Sequence, residues 1–230
     1  FPEYWNIGQS QGGFLSVGLM PLGPQLDSKR LFAPGVLFGD KISSVNFEDI
    51  REDVKYSRYS SPSGLKVKDG DLIPSSHKPN AYSWVKAPRY RGKMVEVGPS
   101  ARVLVDYLQN NNPQVKQLVE KFAGMAGIQA GNLNSVLGRH LCRAISAVVI
   151  ADFLLEETER IDIKGPYMAQ YDLPKSGEGF GATEASRGAL LHYIKMEDYK
   201  IKKYECVVPT TWNCSPKDDN DQPGALESAL

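Results

Sequence analysis

Residues 133–160 read LNSVLGRHLCRAISAVVIADFLLEETER, and this stretch decides the fold. Leu133, Val136, Leu137, Leu141, Ala144, Ile145, Val148 and Val149 recur three and four apart, the spacing of one helical face. Ala151, Phe153, Leu154 and Leu155 widen the apolar surface, which predicts one long helix buried on more than one side. Glu156, Glu157, Glu159 and Arg160 mark its return to solvent. The apolar run Ala144 to Leu155 is broken by Ser146 and Asp152, and falls well short of the roughly 20 residues that span a bilayer.

Upstream, Val103, Leu104, Tyr107 and Leu108 share a face after Pro99. A second helical segment, Gln114 to Met125, follows Pro113, a residue favoured in a first turn. Residues 1–45 read as strands and turns punctuated by glycine. Asn46 is a candidate cap for a short helix from Phe47 to about Tyr56. Residues 57–97, rich in Ser, Pro, Gly and Lys, read as a long irregular loop. Downstream, Gly177, Gly179 and Gly181 look like a flexible lead-in to two strands, Ala189–Met196 and Lys200–Val208, joined by a turn at Glu197-Asp198-Tyr199. Pro209 ends the second strand because it has no N–H to donate. The pattern predicts a mainly α fold with a small antiparallel β part (α+β), with residues 1–230 forming a single domain or a fragment.

The 230 residues are 41% hydrophobic and 23% charged, ordinary for a folded domain. With 27 Lys+Arg against 27 Asp+Glu, the chain lacks the basic excess that phosphate contacts need, so no nucleic-acid partner is expected. Cys142, Cys206 and Cys214 are too few and too odd for a disulfide framework, and none forms Cys-x-x-Cys. Cys206 and Cys214 read as small buried hydrophobes. The first residue is Phe1, with no signal-peptide pattern after it, which suggests a fragment or a processed piece.

Gly8-Gln9-Ser10-Gln11-Gly12 matches Gly-x-Ser-x-Gly literally, but the strand–turn–helix context of a nucleophile elbow is missing, so Ser10 reads as a turn residue. Two other stretches resist a bland reading. One is Tyr82 to Tyr90 followed by Met94 to Arg102, with aromatics, prolines and cations packed into a presumed loop. The other is Gly181 to Leu190, answered by Val207-Val208-Pro209-Thr210-Thr211-Trp212-Asn213. An arginine among small residues beside two hydroxyls suits an anion site, because guanidinium offers five donors and stays charged.

Lys86-Ala87-Pro88-Arg89-Tyr90 through Glu96-Val97-Gly98-Pro99, together with Glu184-Ala185-Ser186-Arg187-Gly188, His192 and Val208-Pro209-Thr210-Thr211-Trp212-Asn213, resembles the C-terminal half of a [NiFe] hydrogenase large subunit. The order and intervals fit over nearly the whole chain. The resemblance implies an oxidoreductase that cleaves H2 heterolytically at a buried Ni–Fe centre carrying CN and CO ligands. It implies a hydrogenase large-subunit-like helical core in this chain. It also implies a heterodimer with a small subunit carrying iron–sulfur clusters, the remaining segments of the large subunit, and a location on the periplasmic side of the bacterial membrane, the cytoplasm being the alternative.

In that family four cysteines in two Cys-x-x-Cys pairs hold the metals, and neither pair is present here. By resemblance Arg187 is the catalytic-site arginine, donating to one iron-bound cyanide, with Thr210 donating to the other. Ala185, Ser186, Leu190, Val208 and Pro209 would line the pocket around the carbonyl. Ser186 stands where the family often has proline, which adds a hydroxyl. The backbone carbonyl near Cys206 resembles a ligand of the family's magnesium site. Buried cyanide nitrogens need donors, since an acceptor left unpaired keeps its full desolvation cost. Two other readings compete: a metal-free relative such as the complex I subunit of the same fold, and a structural fragment without activity.

Overall fold

The structure, a computed structural model, describes residues 2–23, 28–168 and 170–230. The sequence expectations for 1–45 therefore include five positions, 1 and 24–27, that lie outside the described residues. In chain order the strands and helices are β1 (Gly13–Pro21), β2 (Arg30–Phe38), β3 (Lys41–Ser43), β4 (Ile50–Asp53), β5 (Leu65–Lys66), β6 (Ala87–Tyr90) and β7 (Val95–Val97), then α1 (Pro99–Gln109), α2 (Pro113–Ala126) and α3 (Val136–Arg160). They continue with β8 (Gly177–Ala185), β9 (Gly188–Glu197), β10 (Lys200–Val207), α4 (Pro209–Asn213) and α5 (Ala225–Ala229). The fold is α+β. Its sheets run β3-β2-β1-β7, β10-β9-β8 and β5-β4-β6, all antiparallel except the β1–β7 pairing.

The first sheet is the middle layer. Successive side chains of a strand point to opposite faces. Phe14 packs with Leu37 against α1, α2 and α3, alongside Val103, Leu104, Val119 and Ile145. Leu15 and Val17 turn the other way, onto Leu191, Tyr193, Val207 and Trp212. A strand covered on both faces reads as a near-continuous apolar run, which is what Gly13–Pro21 is.

The helices start where the prolines and caps place them. Pro99 and Pro113 occupy first-turn positions, the Asn112 side chain accepts from Gln114 N, and Ser135 accepts from Gly138 N at 3.1 Å. The C-terminal hairpin turns on Asp198 and Tyr199, both at positive φ. Several local expectations change. The element capped by Asn46 is a single turn, Phe47–Asp49, because Ile50–Asp53 alternates buried and exposed and pairs with β6. The glycine-rich lead-in is strand β8, paired with β9 along its whole length. The stretch 57–97 contains β5, β6 and β7 and is tied down by side chains, Ser57 Oγ donating to Val85 O at 2.6 Å and Lys78 Nζ to Tyr59 O at 2.8 Å.

The long helix exists, but in this chain only one side of it is covered. Cys142, Ile145 and Val149 are buried, whereas Val148 is 46% exposed and Leu155 67%. Cys206 and Cys214 are exposed rather than core residues, each near a strand or helix edge. Among the described residues no helix is long and apolar enough to cross a membrane.

Candidate active-site cleft

Ala185 pairs with Gly188, so Ser186 and Arg187 form the two-residue turn between β8 and β9. Two glycines seat that turn. Gly188 has φ 129°, and a Cβ on it would fall 2.5 Å from Gly98 N. Gly98 has φ 122°, and its Cβ would fall 2.9 Å from the Arg187 carbonyl oxygen. Only residues without side chains permit this approach at these angles. The two suspicious stretches of sequence therefore meet backbone to backbone.

Two further ties fix the junction. Arg102 on α1 donates to Ala185 O at 2.8 Å and to Glu184 Oε2 at 2.9 Å, and Glu184 Oε1 accepts the Val17 N–H at 2.9 Å. Both side chains are buried, and burial pushes the Glu184 carboxyl upward against the pull of Arg102. On the other side, Asn213 Oδ1 accepts from Val97 N at 3.0 Å while its Nδ2 donates to Val97 O at 2.9 Å. That amide completes the edge of β7 as another strand would, and it holds α4 beside Gly98.

These contacts frame a cleft of about 410 Å³ whose wall includes Arg187, Pro209 and Thr210. Of the seven pocket residues expected from sequence, the fold brings those three together. Ala185, Ser186, Leu190 and Val208 are not on this wall, and Val208 is 37% exposed. Val207, the last residue of β10, is fully buried, while Val208, which caps α4, faces out.

The charge balance of the cleft is one-sided. Glu96 is taken by Arg139 in a two-bond fork, Nε to Oε1 and Nη2 to Oε2 at 2.7 Å each, and by Ser10 Oγ at 2.9 Å. Arg143 and Arg187 also line the cleft, and neither has a carboxylate partner among the described residues. The hydroxyl of Thr210 is likewise without a protein partner among them. A partly apolar cleft with two uncommitted guanidinium groups and a free hydroxyl is built to hold an anion.

Other sequence suspicions resolve as scaffold. Ser10 is buried and serves Glu96, so it is no nucleophile. Arg89 is buried and all its donors are spent on Asp218, Ser215 and the carbonyls of Pro88, Pro216 and Gln222. Lys86 is shared between Glu52 at 2.8 Å and Glu205 at 3.5 Å. Cys206 lies on β10 opposite His192, off the cleft, and no group of three His, Cys, Asp or Glu among the described residues is arranged to hold a metal ion. The sequence reading missed Glu96, Arg139 and Arg143 as cleft residues. A signal was there: Arg139 and Arg143 stand four apart in the helix, hence on one face.

Comparison with known proteins gives concordant matches. The family described as nickel-dependent hydrogenase matches residues 1–230. The periplasmic [NiFeSe] hydrogenase large subunit of Desulfomicrobium baculatum is 34% identical, over 99% of this chain and 46% of its own length. The hydrogenase-1 large chain of Escherichia coli is 34% identical, over 100% of this chain and 45% of its own. Among solved structures, the reduced Ni-Fe-Se hydrogenase of D. vulgaris Hildenborough superposes with a TM-score of 0.87 at 37% identity, covering 99% of this chain and 48% of that one. The chain thus spans about half the length of these relatives.

Proposed function

The chain belongs to the nickel-dependent hydrogenase family, and from that premise we propose that it is the C-terminal half of a catalytic large subunit, forming one wall of the site where H2 is cleaved. The family implies a Ni–Fe centre, and a metal-free reading is not favoured. The observation that carries the proposal is the seating of Arg187 in the cleft by the Gly98–Gly188 contact, with no carboxylate paired to it among the described residues.

The residues fit such a group as a wall, not as its ligands. Cys214 is a lone cysteine on the cleft, so the thiolates that hold the metals come from outside these 230 residues. When bound, the Ni–Fe centre supplies the redox and Lewis-acid chemistry that polarises H2. Arg187 would donate to anionic ligands of such a centre and balance their charge, since charge-assisted bonds are about twice as strong as neutral ones. Thr210 supplies a neutral donor beside it. Pro209, pinned at the first turn of α4, keeps that edge of the wall apolar and rigid. Glu96, which also lines the cleft, is held by Arg139 and Ser10, so its carboxylate is committed to scaffold bonds. A small subunit with iron–sulfur clusters is the electron-accepting partner in this reading, and a periplasmic location follows the Desulfomicrobium relative. For a magnesium ion at the Cys206 carbonyl, the described residues offer no group of three His, Cys, Asp or Glu as further ligands.

The test is Arg187→Lys and Thr210→Val in the complete enzyme, read by infrared spectroscopy and by turnover. Arg187→Lys keeps the charge but loses the planar fork, so a cyanide band shifts and turnover falls by about 10²-fold or more. Thr210→Val costs less, on the order of 1–3 kcal/mol for one lost neutral donor. Unchanged cyanide bands and unchanged turnover in Arg187→Lys would remove Arg187 from the site.

A further inference from the structure

Arg102 is not on the cleft wall, yet its bonds reach both flanks of the turn that carries Arg187. It lies in the first turn of α1, where its backbone N–H donates to Gly98 O at 2.9 Å. Gly98 is the residue against which the Arg187 carbonyl and Gly188 are seated. The guanidinium goes to the other flank. Its Nη2 donates to Ala185 O at 2.8 Å and to Glu184 Oε2 at 2.9 Å, and Nε reaches the same carboxylate oxygen at 3.3 Å. Glu184 is fixed in turn, because its Oε1 accepts from Val17 N at 2.9 Å, on β1 past Leu15, where the pairing with β7 ends. The fully buried Phe32 ring lies 5.7 Å from the guanidinium carbon and adds a cation–π contact.

We propose that Arg102 is a positioning residue for the reaction: by tying Ala185 O and Gly98 together it fixes the direction in which Arg187 enters the cleft. The inference rests on the reading of Arg187 as the donor to an anionic group of the metal centre. Its physical basis is the freedom left to the turn. Ala185 pairs with Gly188, so only Ser186 and Arg187 stand between two anchored residues. Without Arg102 the hairpin keeps its own ladder, but its tip loses the tie to α1, and a site is only as precise as the shell that locks it. A buried ion pair is poor evidence for stability by itself, since desolvation offsets much of its attraction. Position is what the Arg102–Glu184 pair supplies. Lysine is no substitute, because an ammonium lacks the planar fork that divides its donors between a carboxylate and a carbonyl.

The experiment uses the complete enzyme and two variants. Arg102→Gln/Glu184→Gln removes both charges together, so no buried charge is left unpaired. Arg102→Lys keeps the ion pair and loses the fork. The readouts are the infrared cyanide bands, kcat and KM for H2, and hydrogen exchange at the Val17 amide. In the double variant the band that Arg187→Lys moves should move too, exchange at Val17 should quicken, and kcat should fall by about 10²-fold with KM unchanged, because Arg102 does not touch the substrate. Arg102→Lys should move the same band less, and it decides the matter on the same readouts if the double variant yields no folded enzyme. A merely structural role would lower the yield of folded enzyme and leave the bands and kcat of the recovered fraction in place; that result overturns the proposal. Bands that move in Arg187→Lys but in neither Arg102 variant remove Arg102 and leave the reading of the cleft intact. Bands that no variant moves, Arg187→Lys included, remove that reading and this inference with it.

Discussion

Gly188→Ala tests the junction that the whole site depends on. A Cβ at this position would sit 2.5 Å from Gly98 N, 2.7 Å from Val97 Cγ2 and 2.8 Å from Val97 C. Two of these are backbone atoms, so no side-chain rotation relieves them. Restoring ordinary contact requires β7 and the β8–β9 turn to part by ~1 Å. Overpacking of this kind costs about 1–3 kcal/mol. Holding alanine at φ 129° adds roughly 1–3 kcal/mol more. The two together are a large share of a typical stability of about 5–15 kcal/mol. The displacement also carries the Arg187 backbone away from the cleft, and a misplacement of ~1 Å costs on the order of 10²-fold in rate. The assay is hydrogen-dependent dye reduction with thermal unfolding of the complete enzyme, against Gly179→Ala as control. Gly179 lies on the neighbouring strand, and a Cβ there meets nothing within 4 Å. If Gly188→Ala matches Gly179→Ala in both turnover and melting temperature, the glycine contact does not position Arg187 and the reasoning fails.

Asn213→Leu should destabilise the enzyme by about 2–4 kcal/mol, because it orphans both the N–H and the carbonyl of Val97; hydrogen exchange at the Val97 amide should rise, and unchanged protection would count against the clamp. Arg102→Met should be worse at neutral than at mildly acid pH, since it leaves Glu184 buried without its cation and protonation relieves that; melting temperatures across pH would show it. For Glu52 the sign is set by burial, which lifts its carboxyl above the ordinary 4.5 although Lys86 opposes it. A raised folded value means that the folded state binds a proton the unfolded state has released, so this stabilisation is complete below pH 4.5 and is lost as pH rises through the folded value. Glu52→Gln should therefore flatten the fall of melting temperature with rising pH, and an unaltered slope would show that Glu52 stays ionised throughout.

Local patterning determined a good deal. The three- and four-residue spacing from Val136 to Val149 defined α3, Pro99 and Pro113 placed the starts of α1 and α2, and Asp198-Tyr199 the hairpin, because each depends on neighbours a few residues away. The family signatures were also written in the residues themselves. What sequence could not assign was sidedness. Val148 carries the same hydrophobic character as Val149, yet one is half-exposed and the other fully buried, because only the neighbouring helices decide which face of α3 is covered. Val208 and Pro209 are neighbours too, yet Val208 is exposed and Pro209, the first residue of α4, is buried. The glycines at 177 and 188 look alike in a string of letters, but only the second lies against another backbone, ninety residues away in sequence at Gly98. The same holds for cations: Arg89, Arg102, Arg139 and Arg187 are chemically identical, and it is the tertiary placement of Asp218, Glu184 and Glu96 that spends the first three and leaves the fourth free for an anion. Long-range contact sets the environment of a charge, and that environment decides whether an arginine is scaffold or site.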